Sequence, residues 1–164
     1  YEVDDGFNAI GSCLKKEYTY RIYNSRISNP FYVHRAYFYP KVLDEKVMDR
    51  AARMFEGTHD FAAVRSLGTD VKSTVRTIYR ARVERQGEDV VLTVLGDGFL
   101  YNMVRIIAGT LMEVGTGKRE PGCIARAIAT GDRLLLGQTA PACGLTLMRV
   151  LYDGDEEKAL GYFA

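Results

Sequence analysis

Between Gly98 and Gly115 the sequence GFLYNMVRIIAGTLMEVG carries apolar residues at Met103, Ile106, Ile107, Leu111 and Val114, a spacing of three and four that predicts a helix with a glycine at each end. The rest of the chain is arranged around this stretch. Tyr18 to Tyr23, YTYRIY, alternates as a strand, with Tyr18, Tyr20 and Ile22 on one face and Thr19, Arg21 and Tyr23 on the other. Asn24 to Pro30 is rich in turn residues, and Arg35 to Tyr39 reads as a short extended piece stopped by Pro40. Asp44 to Gly57, DEKVMDRAARMFEG, has acids in its first turn, an apolar face and a closing glycine, which predicts a second helix. Thr58 to Phe61 reads as a turn into a short helix near Ala62 to Arg65, and Ser66 to Thr74 as a polar, mobile loop.

Val75 to Val83 and Val90 to Val94 flank Gln86-Gly87-Glu88-Asp89 as a hairpin, with arginines at 65, 76, 80, 82 and 85 in or near it. A third helix is predicted over Pro121 to Ala129, ending at Thr130-Gly131. Thr139 to Gly144 is a small-residue loop, Leu145 to Tyr152 a closing strand, and residues 1–6 the tail of another strand. The order predicts an α+β fold with a mostly antiparallel sheet backed by helices.

One position breaks the pattern of the central helix. Arg105 lies between Val104 and Ile106, with Tyr101, Asn102, Ala108 and Gly109 as its neighbours three and four residues away. A guanidinium in such company either snorkels to water or holds a carboxylate, and periodicity alone favours snorkelling. Ala108 and Gly109 are small enough for another backbone or a long side chain to lie against them.

Composition narrows the class. The 164 residues are 47% hydrophobic and 26% charged, which suits one globular domain with a sizeable core. No run approaches the roughly 20 apolar residues of a membrane span. The opening YEVDDGF has no initiator Met and no signal-peptide pattern, and reads as the interior of a longer chain. Three widely spaced cysteines, Cys13, Cys123 and Cys143, argue against a disulfide framework and against zinc, and fit a reducing, cytoplasmic setting. No metal and no cofactor is expected. Net charge is only +1, but acidic residues gather at both ends. Residues 6–152 hold 21 basic against 14 acidic side chains, a balance compatible with a polyanionic partner.

Several stretches, in order, resemble the tRNA pseudouridine synthase A (TruA) family. They are Phe7-Asn8-Ala9 followed by Lys16-x-Tyr18-x-Tyr20; Phe55-x-Gly57-x-His59-Asp60-Phe61; and Thr74-Val75-Arg76-x-Ile78. After these come Gly98-Phe99-Leu100-Tyr101-x-Met103-Val104-Arg105 with Gly109-x-Leu111-x-x-Val114-Gly115; Gly131-Asp132-Arg133; and Ala140-Pro141-Ala142-x-Gly144-Leu145. Together they cover about residues 7–152. The resemblance implies an isomerase that flips uridine out of tRNA, breaks the C1′–N1 bond, rotates the base and rejoins it through C5. The family's targets are uridines 38 to 40 of the anticodon stem-loop. Its nucleophilic aspartate lies in an RTDAGVH-like loop of the N-terminal half, and no such loop occurs here. Residues 1–164 are therefore similar to a single C-terminal, base-binding domain without the nucleophile, inactive alone. Its implied partners are tRNA, the missing N-terminal half and a second copy, as in the family's dimers.

By the same resemblance Tyr18 matches the substrate-contacting tyrosine, offering a flat face and a hydroxyl. Arg105 matches the arginine that pairs with the aspartate. Tyr20 is support. Lys15, Lys16, Arg21, Arg76 and Arg80 are candidate phosphate contacts, each weighed against solvated surface charge. Asn8 and Ile10 stand where the family has histidine and arginine. His59 is structural; of the carboxylates Asp60, Asp97 and Asp132, none lies in the family's nucleophile motif, Asp60 being a turn or cap residue and Asp97 turn chemistry. Two competing readings are a non-catalytic RNA-binding module, presenting Tyr18 and Tyr20 on a sheet, and a tyrosine-rich protein-interaction domain.

Overall fold

A computed structural model describes residues 6–9, 11–66, 68 and 71–152. Gly6 opens a turn; the strand expected over residues 1–6 otherwise lies outside the described residues, as does Ile10. The elements are β1 (Lys15–Tyr23), β2 (Tyr37–Phe38), α1 (Glu45–Ala52), β3 (Gly57–Asp60), β4 (Val75–Gln86), β5 (Asp89–Gly96), α2 (Met103–Gly115), α3 (Cys123–Thr130) and β6 (Leu145–Leu151). The fold is α+β. Among the described residues the sheet has six strands in the order β2-β1-β5-β4-β3, with β6 on the same edge of β1 as β2. Every pairing is antiparallel except β1 with β2.

Period-two alternation decides which face carries the helices. In β5, Val90, Leu92 and Val94 are buried while Val91, Thr93 and Leu95 are not. Tyr20 and Ile22 of β1 join the same face, as do Ile78, Ala81 and Val83 of β4, where a bulge at Tyr79 shifts the alternation by one residue. The helices close over this face, so Met48, Phe55, Phe61, Ile106, Ile107 and Leu111 complete one core. The hairpin turn is Gly87-Glu88, and Gly87 takes φ +62°, a left-handed conformation that glycine adopts without a Cβ penalty.

Beyond β3, the edge of β4 is covered by carboxylates rather than by another strand. Glu56 Oε1 accepts the Ala81 N–H at 2.8 Å, and Asp49 Oδ1 accepts the Val83 N–H at 3.0 Å. These bonds satisfy amides that would otherwise be open to strand addition. Two of the five clustered arginines serve the same corner. Arg82 pairs with Glu56, and Arg85 donates to Glu45 at 2.9 Å and to the Leu43 carbonyl at 2.8 Å.

Four expectations are corrected. The central helix begins at Met103, five residues later than Gly98, because Asn102 sits at φ +61° and the Met103 N–H bonds the Leu100 carbonyl, closing a turn instead of a helical rung. Residues 57–60 form strand β3, not a turn: pairing with residues 75–78 of β4 overrides local turn chemistry. The second helix is α-helical only to Ala52 and tightens to a 3-10 turn over Arg53–Phe55. α3 begins at Cys123, with Pro121 and Gly122 forming the turn before it. Of the loop expected over Ser66 to Thr74, residues 67, 69 and 70 lie outside the described residues.

Asp44 caps α1 by accepting from the N–H groups of Lys46 and Val47, both at 3.0 Å. Asp44→Ala is expected to lower unfolding free energy by about 1 kcal/mol in urea denaturation. A pH effect follows from Glu113 on α2. Burial pushes its carboxyl up, but bonds from Lys118 and Arg119, and the Arg119 charge, outweigh that and hold it below the ordinary 4.5. A lowered carboxyl contributes stability above the ordinary value and loses it as pH falls through the folded value. The thermal midpoint should therefore drop on acidification below pH 4.5, and Glu113→Gln should flatten that drop while lowering the midpoint at neutral pH.

Candidate active site

A cavity of about 320 Å³ opens between β1, the turn before α2, and the chain preceding β6. Its walls include Tyr18, Phe99, Asn102, Arg105, Ala142 and Leu145. Tyr18 reaches it because strand alternation aims Tyr18 at the helical layer, beside Val94 near the end of β5. Its ring meets Phe99 edge-on, centroids 5.1 Å apart. Arg105 reaches the same cavity from the first turn of α2.

The neighbours of Arg105 are specific. Its Nε donates to the Ala140 carbonyl at 2.7 Å and an Nη1 hydrogen goes to Asn102 Oδ1 at 2.8 Å. The backbone returns the contact, with the Ala140 N–H donating to the Arg105 carbonyl at 3.0 Å. Both side-chain acceptors are neutral. Among the described residues Arg105 forms no ion pair. The half-buried guanidinium is therefore oriented but not neutralised, an arrangement that favours an anion in the cavity.

Gly109 is what lets Ala140 come so close. A Cβ there would overlap the Gln138 carbonyl oxygen. At the next residue, the Thr110 hydroxyl donates to the Ile106 carbonyl at 2.8 Å and accepts the Gly137 N–H at 2.9 Å. The chain over 137–141 is thus laid directly on the backbone of α2. Its far end is fixed by Tyr20, whose hydroxyl donates to the Pro141 carbonyl at 2.7 Å. Burial pushes the Tyr20 phenol well above its ordinary value of 10. Tyr20 is accordingly a buried fastener rather than a cavity wall.

The five basic candidates divide between the two faces of the sheet. By alternation Lys16 shares the face of Tyr18, and Arg76, in step with Ile78, lies by Gly98 at the same end. Lys15 and Arg21 are on the opposite face. The Lys15 ammonium sits 5.1 Å from the centre of the Tyr79 ring, and Arg21 faces Asp89 at 3.8 Å. Arg80 follows the bulge, opposite Leu95. The carboxylates set aside above are occupied elsewhere. Asp60 accepts from Ala62 N–H and the Thr74 hydroxyl, Asp97 from Thr77 N–H, and Asp132 from Leu134 N–H. His59 Nε2 bonds the Glu56 carbonyl at 2.8 Å. None of these four residues lines the cavity. Asn8 lies in the turn before β1, where its Oδ1 accepts the Gly11 N–H at 2.8 Å.

A sequence model of the family described as tRNA pseudouridine synthase matches residues 51–153. The chain belongs to the tRNA pseudouridine synthase family. Relatives named tRNA pseudouridine synthase A include those of Bacillus licheniformis, 46% identical over 92% of this chain, and Acetivibrio thermocellus, 48% identical over 92%. A third, from Bacillus subtilis, is 42% identical over 92% of the chain. The chain spans about 61% of the length of these relatives. For a family member, the cavity adds wall residues that sequence reasoning left without a role: Phe99, Asn102, Ala142 and Leu145. Three of them stand in the motifs quoted above. Asn102 lay inside the helix expected from Gly98 to Gly115, and its residue type alone, an Asn that tolerates left-handed backbone, pointed to a turn there.

Gly109→Ala tests the backbone-on-backbone contact. It should destabilise the fold by about 1–3 kcal/mol in urea denaturation, despite the higher helix propensity of alanine. Ser or Ala at a surface helix site such as Arg126 should show no such loss.

Proposed function

We propose that this chain is the C-terminal, base-binding part of an isomerase converting uridine to pseudouridine in tRNA. The observation that carries the reading is the shared cavity of Tyr18 and Arg105, with the arginine held by neutral oxygens and lacking a carboxylate among the described residues. The missing carboxylate is supplied by the aspartate loop of the N-terminal half. The relatives' greater length accommodates that half.

In this reading a uridine of the anticodon stem-loop, at positions 38 to 40, leaves the stack and enters the cavity. Phe99 and Leu145 offer apolar contact, and Tyr18 presents its ring to the base and its hydroxyl for proton transfer. Arg105 holds the aspartate ionised and beside the ribose, where the C1′–N1 bond is broken. Lys16 and Arg76, on the cavity side, contact the phosphates of the flipped strand; Lys15, Arg21 and Arg80, on the other face, meet more distant parts of the same RNA or of a tRNA held by a second copy. The setting is the cytoplasm, where tRNA is modified. Among the described residues no helix is long and apolar enough to cross a membrane, and no three His, Cys, Asp or Glu side chains are grouped to hold a metal ion.

Tritium release from tRNA carrying 5-³H-uridine is the test. The chain alone should release none, and co-expression with an N-terminal half bearing the aspartate loop should restore release. In the restored enzyme, Arg105→Lys should lower kcat about 10²-fold or more by losing the forked guanidinium geometry. Tyr18→Phe should lower it about 10²-fold if the hydroxyl carries a proton. Release by the chain alone would overturn the assignment of the nucleophile to the other half.

A further inference from the structure

We propose that Asn102 is a positioning residue that holds Arg105 in place without neutralising it, an inference that rests on the functional reading above. Three observations converge on this side chain. Asn102 is at φ +61°, in the left-handed region, one residue before α2 begins. Its Oδ1 accepts from Arg105 Nη1 at 2.8 Å, and its Nδ2 donates to Ser66 Oγ at 3.0 Å. Ser66 in turn donates its N–H to the Tyr101 carbonyl at 3.0 Å, so both residues of the turn are gripped from one side.

The chemistry selects asparagine. Left-handed backbone at a single residue suits glycine, asparagine and aspartate, and strains most other residues. Glycine has no side chain to reach Arg105. Aspartate would reach it, but would place a negative charge on the guanidinium before any incoming carboxylate arrives. Only the amide offers a neutral acceptor to the arginine and a donor to Ser66 together. Arginine can only donate, so the amide orientation is fixed by its partner: oxygen toward Arg105, nitrogen toward Ser66. With the Ala140 carbonyl on Nε, the guanidinium is clamped from two sides by uncharged oxygens and its charge is left for the cavity.

The test uses the restored enzyme, this chain co-expressed with an N-terminal half bearing the aspartate loop, with tritium release as readout. Asn102→Gly deletes the side chain while keeping the left-handed backbone. It should lower kcat about 10- to 100-fold. The KM for tRNA should stay within about threefold, and the thermal midpoint should fall by no more than about 4 °C. Asn102→Asp preserves size and turn and should lower kcat further at neutral pH, because its carboxylate occupies the guanidinium. Ser66→Ala, which leaves the turn backbone intact, should give a smaller loss of kcat in the same direction and serves if Asn102→Gly does not fold. A kcat for Asn102→Gly within about twofold of the unsubstituted enzyme would overturn the proposal, as would full activity in Asn102→Asp, which a merely structural role permits. Arg105→Ala separates the two levels. If Arg105→Ala is inactive and Asn102→Gly fully active, only the positioning role fails; if Arg105→Ala is itself active, the functional reading fails with it.

Discussion

Everything around the cavity depends on how closely the chain at residues 137–141 lies on α2. Gly109 gives it room, and the Thr110 hydroxyl, itself donating to the Ile106 carbonyl within α2, accepts the Gly137 N–H. From that contact the Ala140 carbonyl comes within 2.7 Å of Arg105 Nε, and the Pro141 carbonyl falls above the Tyr20 hydroxyl. The next residues, Ala142 and Leu145, then form the opposite wall of the cavity. A pair of small-residue features thereby places a charged group. Close-packed interiors transmit such constraints because they have little free volume to absorb a shift.

The second constraint is electrostatic. A half-buried guanidinium is stabilised best by a carboxylate, and other arginines of this chain have one: Arg82 has Glu56, Arg85 has Glu45, Arg119 has Glu113 and Arg149 has Glu17. These pairs do structural work, closing the edge of β4, tying the end of α2 and bracing β1 against β6. Arg105 is given only neutral oxygens, as is Arg76, whose Nη1 donates to the Ser73 and Val75 carbonyls. In the proposed reading, the charge at Arg105 is left for a carboxylate supplied by the N-terminal half.

Much of this architecture is legible in the sequence, and what is not has identifiable causes. Alternation in YTYRIY separates buried Tyr20 and Ile22 from exposed Arg21, whereas Tyr23, expected with Arg21, is buried on that other face against Tyr32. The smallness of Ala108 and Gly109 correctly announces a close approach, although the sequence does not say by which backbone. β3 was hidden because four residues with turn-like chemistry became a strand only through pairing with β4, a contact nearly twenty residues away in sequence. The start of α2 was hidden because apolar periodicity continues through Phe99 and Leu100 across a turn that a single left-handed Asn102 creates. The division of the basic residues between two faces followed from strand parity, but the bulge at Tyr79, which sets Arg80 apart from Arg76, leaves no mark in the local pattern.

The measurement that bears most directly on the divided site is the NMR signal of the Arg105 Nε–H in ¹⁵N-arginine-labelled chain, assigned with Arg105→Lys. Adding the N-terminal half with its aspartate should shift and sharpen this signal, as a neutral-acceptor environment gains a charged one. The same half carrying asparagine in place of that aspartate should bind without producing the shift. An identical response to both halves, or none to either once binding is established, would contradict the claim that Arg105 awaits a carboxylate from outside this chain.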